Sequence, residues 1–281
     1  MSEAGLQGRR VLITGAARGI GAASARRLSA AGARVALAGI EPELMAELAA
    51  ELGGAPFFEC DVSEREQVEE AVDGAAAALG GLDVVMANAG VAAQLPLVGG
   101  DPEIFERTIG VNVLGVYYTL RAAGPHIAHK NGYALAVSSL AAAVHPPLMG
   151  AYCASKAAVE ALANSLRSEL RHTGARVGVA YFAEIDTDMT RRGFGTKAAK
   201  RLAGRRGAIT GVAPLEKAID AVEHGIARRS RRVAAPGWVR PILPIRDVAQ
   251  RLVELRFLGG VEKTLEVALE EHAPLTTTQP R

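Results

Sequence analysis

Cysteine is almost absent from this chain of 281 residues. There are two, Cys60 and Cys153, too few for a disulfide framework or for a metal site built from cysteine alone. No bound metal is expected. Aromatic residues make up only 4% of the sequence, which leaves little material for the stacking surfaces that grip single-stranded nucleic acid. Neither sign of charge is in large excess: the formal net charge is +2, so no strong field draws the whole molecule towards nucleic acid. One local bias exists. Residues 191–232 hold twelve Lys/Arg against three Asp/Glu, but with Phe194 as their one aromatic the stretch reads as a solvated surface. No apolar run reaches the length of about 18 residues that marks a membrane span, and the opening MSEAGLQGRR lacks the apolar stretch of a secretory signal. A soluble protein of the reducing cytoplasm is expected, with neither membrane nor nucleic acid as a partner.

What the chain does have is hydrophobic material, 49% of all residues, arranged in short runs. RRVLIT, ARVALA, APFFEC, LDVVMAN, YALAVS, RVGVAYF and RRVAA are apolar without polar alternation, as strands buried on both faces are. Between them lie Ala/Leu/Glu-rich stretches such as PELMAELAAEL, with apolar residues three and four apart. Strand–helix–strand repetition with short links predicts an α/β fold, a doubly wound parallel sheet with helices on both faces. No linker divides residues 5–236, and residues 1–239 read as one domain. Residues 188–213 break the pattern, being rich in glycine and cations with no clear strand, and read as a lid-like insertion. Residues 240–281 read as a helical extension packed on that domain. The polar face of VAQRLVELRFL mixes Asp247, Arg251, Glu254 and Arg256, whereas helices that lie on membranes are dominated by cations.

Directly after the first strand comes TGAARGIG, residues 14–21. Glycines at 15, 19 and 21 allow a tight turn, let backbone N–H groups approach a pyrophosphate, and open a helix whose positive end faces that anion. A lone glycine turn is weak evidence, but this one sits between a strand and a helix, as the motif requires. Further on, AYCASKAAVE places Tyr152 one helical turn before Lys156, so phenol and ammonium share a helix face.

TGAARGIG, NAG at 88–90, and Tyr152-x-x-x-Lys156 with Ser139 thirteen residues upstream together resemble the short-chain dehydrogenase/reductase family, over roughly residues 8–237. The resemblance implies a Rossmann-type domain with about seven parallel strands. It also implies NAD or NADP as cofactor, a small-molecule alcohol or ketone as substrate, and a homodimer or homotetramer. Carried over residue by residue, it implies that Gly15, Arg18, Gly19, Ile20 and Gly21 line the pyrophosphate. Asp61 and Val62 match the family's adenine contact, and Asn88, Ala89 and Gly90 the motif beside the adenosine ribose. Thr187, with Ile185 beside it, matches the residue that holds the carboxamide, and Asn112 matches a catalytic asparagine that holds a water connecting Lys156 to solvent.

The chemistry expected of Ser139, Tyr152 and Lys156 is proton transfer. Hydride transfer to a ketone leaves charge on oxygen, so the site must supply a proton. Shifting a tyrosine from about 10 to near 7 requires roughly 4 kcal/mol, which one positive charge about 4 Å away supplies at an effective dielectric near 20. Lys156 is therefore expected to lower the pKa of Tyr152. Ser139 would polarise the substrate oxygen, and Tyr152 and Lys156 also belong to the cofactor site. A non-catalytic dinucleotide sensor is the alternative, and the four-residue set argues against it, since a binder has no use for a proton donor. Phe182-Ala183 stands where the family has Pro-Gly, followed by the unusual Glu184. Leu95, Pro146, Leu148 and Met149 are expected to make an apolar mouth for a lipophilic substrate. The second strand ends at Gly39, where NAD users carry a repelling Asp; with Arg18 nearby, the sequence leans weakly to NADP, while Glu41 pulls towards NAD.

Overall fold

The computed structural model describes residues 5–193, 196–203, 210–257, 259–271 and 275. Its strands are β1 (Arg10–Thr14), β2 (Arg34–Gly39), β3 (Phe57–Glu59), β4 (Val84–Ala87), β5 (Tyr133–Val137), β6 (Arg176–Phe182) and β7 (Arg232–Ala235). They form one parallel sheet in the order β3-β2-β1-β4-β5-β6-β7. Each apolar run picked out from the sequence supplies one strand. The helices are α1 (Gly19–Ala30), α2 (Pro42–Glu51), α3 (Arg65–Leu79), α4 (Pro102–Ile109), α5 (Gly115–Ile127), α6 (Gly150–Glu169), α7 (Asp188–Gly193), α8 (Lys197–Ala203), α9 (Leu215–Arg228), α10 (Val239–Ile242), α11 (Arg246–Arg256) and α12 (Val261–Glu271). No described helix is long and apolar enough to cross a membrane.

The missing polar alternation has a direct cause. Successive strand residues point to opposite faces, and both faces are covered. Val11 and Ile13 join α1, α2 and α9 in one core cluster, while Leu12 joins α3, α5 and α6 in the other. Each is fully buried. The chain winds outward from β1 to β3 and then restarts at β4 on the other side of β1. The loops after β1 and β4 therefore diverge and leave a crevice at the carboxyl edge of the sheet, the place where open α/β sheets bind ligands.

The apolar residues of VAQRLVELRFL recur at helical spacing, but α11 does not pack through them. No residue of α11 is buried, and Val248, Leu252 and Leu255 are each more than half exposed. The helix is held by its polar residues instead: Arg246 pairs with Glu160 at 2.9 Å, and Gln250 Oε1 accepts from the His145 N–H at 2.7 Å. α12 touches α8, where the Glu271 carboxylate accepts the N–H groups of Lys197 and Ala198 at 2.7 and 3.1 Å. Leu148, Ala198 and Ala268 form a small apolar cluster at that junction.

Candidate active site

The crevice holds a cavity of about 290 Å³. At one end the β1–α1 turn forms a cradle. Gly15 and Gly19 have φ of +63° and +56°, a conformation that side chains with a Cβ disfavour. A Cβ on Gly21 would lie 2.1 Å from the Gly15 carbonyl oxygen, so the turn closes only on glycine. No described side chain caps the first turn of α1, leaving its N–H groups and positive end for an anion. The turn is braced from β4: Asn88 Nδ2 donates to the Thr14 and Gly15 carbonyls at 2.9 and 3.2 Å, and Thr14 Oγ1 accepts from the Asn88 and Ala89 N–H groups. These features fit a dinucleotide, which would be held by the cradle, by Asp61 and Val62 after β3, and by Ile185 and Thr187 after β6.

At the other end α6 presents Tyr152, with Lys156 Nζ 5.5 Å from its ring centroid. Lys156 is buried and donates to the Val137 carbonyl at 3.0 Å. Ser139 Oγ donates to the Phe182 carbonyl at 3.1 Å and accepts from the Ala141 N–H at 3.1 Å. Phe182, which stands where the family has proline, ends β6 opposite Ala235. Asn112 lies in a π-helical segment, Gly110–Leu114, between α4 and α5. Its side chain grips the Val91 N–H and carbonyl at 2.8 and 2.9 Å and donates to Ser155 Oγ at 2.9 Å.

The electrostatics correct one expectation. Burial pushes the Tyr152 phenol up to about 12, against the downward pull of the Ser139 hydroxyl. Burial also lowers Lys156 from its ordinary 10.5 to about 8. The lysine does not bring the tyrosine near 7, because loss of water disfavours both charged forms. At Asp61 burial also opposes the charge, yet the Ser63 hydroxyl and N–H, with Arg107, outweigh it and hold the carboxylate below its ordinary value. Arg18 is bidentate to Glu41, with one contact of 2.8 Å, and lies 3.7 Å from Asp188.

The sequence matches the short chain dehydrogenase family over residues 9–197. The chain belongs to the short-chain dehydrogenase family. It is accordingly an NAD(P)-dependent oxidoreductase. It is 36% identical over 195 residues to momilactone A synthase of Oryza sativa subsp. japonica, covering 68% of this chain and 71% of that one. It is 34% identical over 177 residues to the secoisolariciresinol dehydrogenase of Forsythia intermedia, covering 61% of this chain and 64%, just under two thirds, of that one. A short chain dehydrogenase/reductase from Burkholderia phymatum in complex with NAD matches in structure with a TM-score of 0.75 and 26% identity, covering 89% of this chain and 96% of that one.

In this short-chain dehydrogenase, Gly15, Arg18, Gly19, Ile20, Gly39, Asp61, Val62, Asn88, Ala89, Gly90, Ser139, Tyr152, Lys156, Ile185 and Thr187 all line the one cavity. Gly21 and Asn112 stand behind it, the first under the turn and the second against Val91. A Cβ on Gly90 would meet Asn112 Oδ1 at 3.1 Å and Lys156 Nζ at 3.4 Å, which shows how closely these groups gather. Pro146 and Met149 line the cavity as expected, but Leu95 and Leu148 do not: Leu148 faces Ala198 and Ala268 instead. Sequence reasoning missed Arg107, which pairs with Asp61 at 2.6 Å across 46 residues. It also missed Val253, contributed from α11. No motif marks either.

Proposed function

We propose that the site interconverts a secondary alcohol and a ketone, with Tyr152 as the proton-transferring group. The observation that carries this reading is the convergence of a phenol, a buried ammonium and a serine hydroxyl at the end of the cavity away from the glycine cradle. A bound dinucleotide supplies or accepts the hydride. Ser139 orients the substrate oxygen. Tyr152, pushed up to about 12, is protonated at neutral pH and is therefore ready to donate to a ketone oxygen. Lys156, at about 8, keeps most of its charge at pH 7. Its ammonium lies over the Tyr152 ring, 5.5 Å from the centroid, so its charge favours the phenolate that forms on donation. Asn112, by holding Val91 and Ser155, keeps the floor beneath Lys156 in place. The lining of Leu140, Val144, Pro146 and Met149 supports a lipophilic substrate.

The test is Tyr152→Phe, which keeps the ring and deletes the acid. We expect kcat on a panel of ketones to fall by at least about 100-fold, within the range general acid catalysis supplies, with dinucleotide Kd within threefold. A variant that keeps a third of the wild-type kcat would refute the assignment.

For the cofactor we propose NAD, against the lean of the sequence to NADP. Glu41 supplies, two residues late, the carboxylate that Gly39 cannot. It lines the cavity and already engages Arg18, so a 2′-phosphate would meet a carboxylate and an occupied guanidinium. We also propose that residues 1–239 are the catalytic domain, that the described residues of 240–281 pack on it, and that the described residues of 188–213 act as a lid over the substrate; residues 1–4, 194–195, 204–209, 258, 272–274 and 276–281 lie outside the described residues. The support for the lid is its tether: Glu184 Oε2 accepts the N–H and O–H of Thr210 at 2.8 Å each, and the Glu184 carbonyl accepts the Ala213 N–H.

A further inference from the structure

The family match ends at residue 197, but the wall of the cavity does not. Val253 of α11 lines the same space as Val144, Pro146, Met149 and Tyr152. The way α11 is held explains its presence there. Arg246, Gln250 and Val253 recur at intervals of four and three and so share one helix face. Arg246 is anchored to Glu160, two turns beyond Tyr152 on α6, at a carboxylate whose side chain is only 14% exposed. Gln250 is anchored to the backbone of His145, in the segment joining Ser139 to Tyr152. The helix is therefore docked on the two pieces of chain that carry the reacting groups, while its other large apolar residues, Val248, Leu252 and Leu255, face outward. Val253 is the apolar side chain that this docked face gives to the cavity.

We propose that α11 is the substrate-side wall of this active site and that Val253 sets the size of the ketone or alcohol it admits. The proposal rests on the ketone/alcohol reading of the site. In a cavity of about 290 Å³ a few added carbon atoms remove room that a bulky substrate requires. One methylene more or less in an apolar pocket shifts discrimination by about 10-fold to 200-fold. The glycine cradle lies at the other end, so dinucleotide binding is not coupled to Val253.

The experiment uses the full-length enzyme with saturating NADH and a series of ketones of rising bulk: cyclohexanone, 2-decalone and 5α-androstan-3-one. Val253→Phe is expected to lower the ratio of kcat/KM for the bulkiest ketone over cyclohexanone by about tenfold or more. Val253→Ala should raise that ratio, and NAD Kd should stay within twofold in both. Val253→Ile provides a smaller step in the same direction should Val253→Phe fold poorly. A second measurement needs no turnover: displacement of 8-anilinonaphthalene-1-sulfonate by the same ketones from the enzyme–NAD complex. If wild type turns over no ketone with either NADH or NADPH, the ketone/alcohol reading of the site fails, yet a loss of bulky-ketone binding confined to the enlarged variants would still support the wall. Ketone ratios and dye displacement within twofold of wild type in all variants would overturn it.

Discussion

Replacing Lys156 by methionine should make the protein inactive and, near neutral pH, more stable. The lysine is buried, with an ordinary pKa of 10.5 brought down to about 8. At about 1.4 kcal/mol per pH unit, that difference corresponds to about 3 kcal/mol by which the folded state resists the charge. The sign follows from proton binding. Between pH 8 and 10.5 the unfolded chain holds the proton and the folded one releases it, so stability rises with pH across that window. The cost is fully present below pH 8 and gone above 10.5. Methionine has a similar length and no charge, but it abandons the hydrogen bond to the Val137 carbonyl, a loss of about 1 kcal/mol. Lys156→Met should therefore be about 2 kcal/mol more stable than wild type at pH 7 and about 1 kcal/mol less stable above pH 10.5. Urea unfolding of both proteins at pH 7 and at pH 10.5 and above, without added dinucleotide so that binding contributes nothing, measures the two differences. A variant less stable than wild type at pH 7, or a difference that does not change with pH, would refute the reasoning. If the reversal holds, the site keeps its ammonium at the expense of stability.

Three further outcomes are expected. Gly21→Ala puts a methyl 2.1 Å from the Gly15 carbonyl oxygen and 2.8 Å from Asn88 Nδ2, so calorimetry should show dinucleotide Kd weakened by at least about tenfold; an unchanged Kd would mean the turn is looser than described. Glu41→Gln removes the charge that occupies Arg18, and the ratio of NADP to NAD affinity should rise by about tenfold, the size of one charge-assisted contact of about 1.4 kcal/mol; a ratio that stays put removes Glu41 from cofactor choice. Glu184→Gln weakens the hold on Thr210, and hydrogen exchange at residues 210–213 should quicken, since loops of low local stability open first; identical exchange in the two proteins counts against the tether.

The two kinds of information divide along a clear line. What depends on neighbours in sequence could be read from the sequence. Seven strands show as apolar runs because a strand covered on both faces has no polar positions to alternate. Tyr152 and Lys156 meet because residues four apart share a helix face, and the cradle shows because its glycines lie in one turn. The family's spacing then brought in Ser139, Asn112 and Thr187 by resemblance, although distance along the chain says nothing of their contacts.

What depends on residues far apart was decided only by tertiary structure. The Arg107–Asp61 pair spans 46 residues and the Arg18–Glu41 pair 23. Val253 reaches the cavity from beyond the family match because Arg246 and Gln250 find Glu160 and His145, a docking that reverses the face an amphipathic reading would bury. The pKa directions belong here too. Sequence spacing gives the Coulomb attraction of Lys156 for a phenolate, but burial, which opposes that charge and pushes Tyr152 up, is a property of everything packed around the pair. A chain encodes which groups stand one turn apart; how much water reaches them is fixed only when the rest of the fold closes over them.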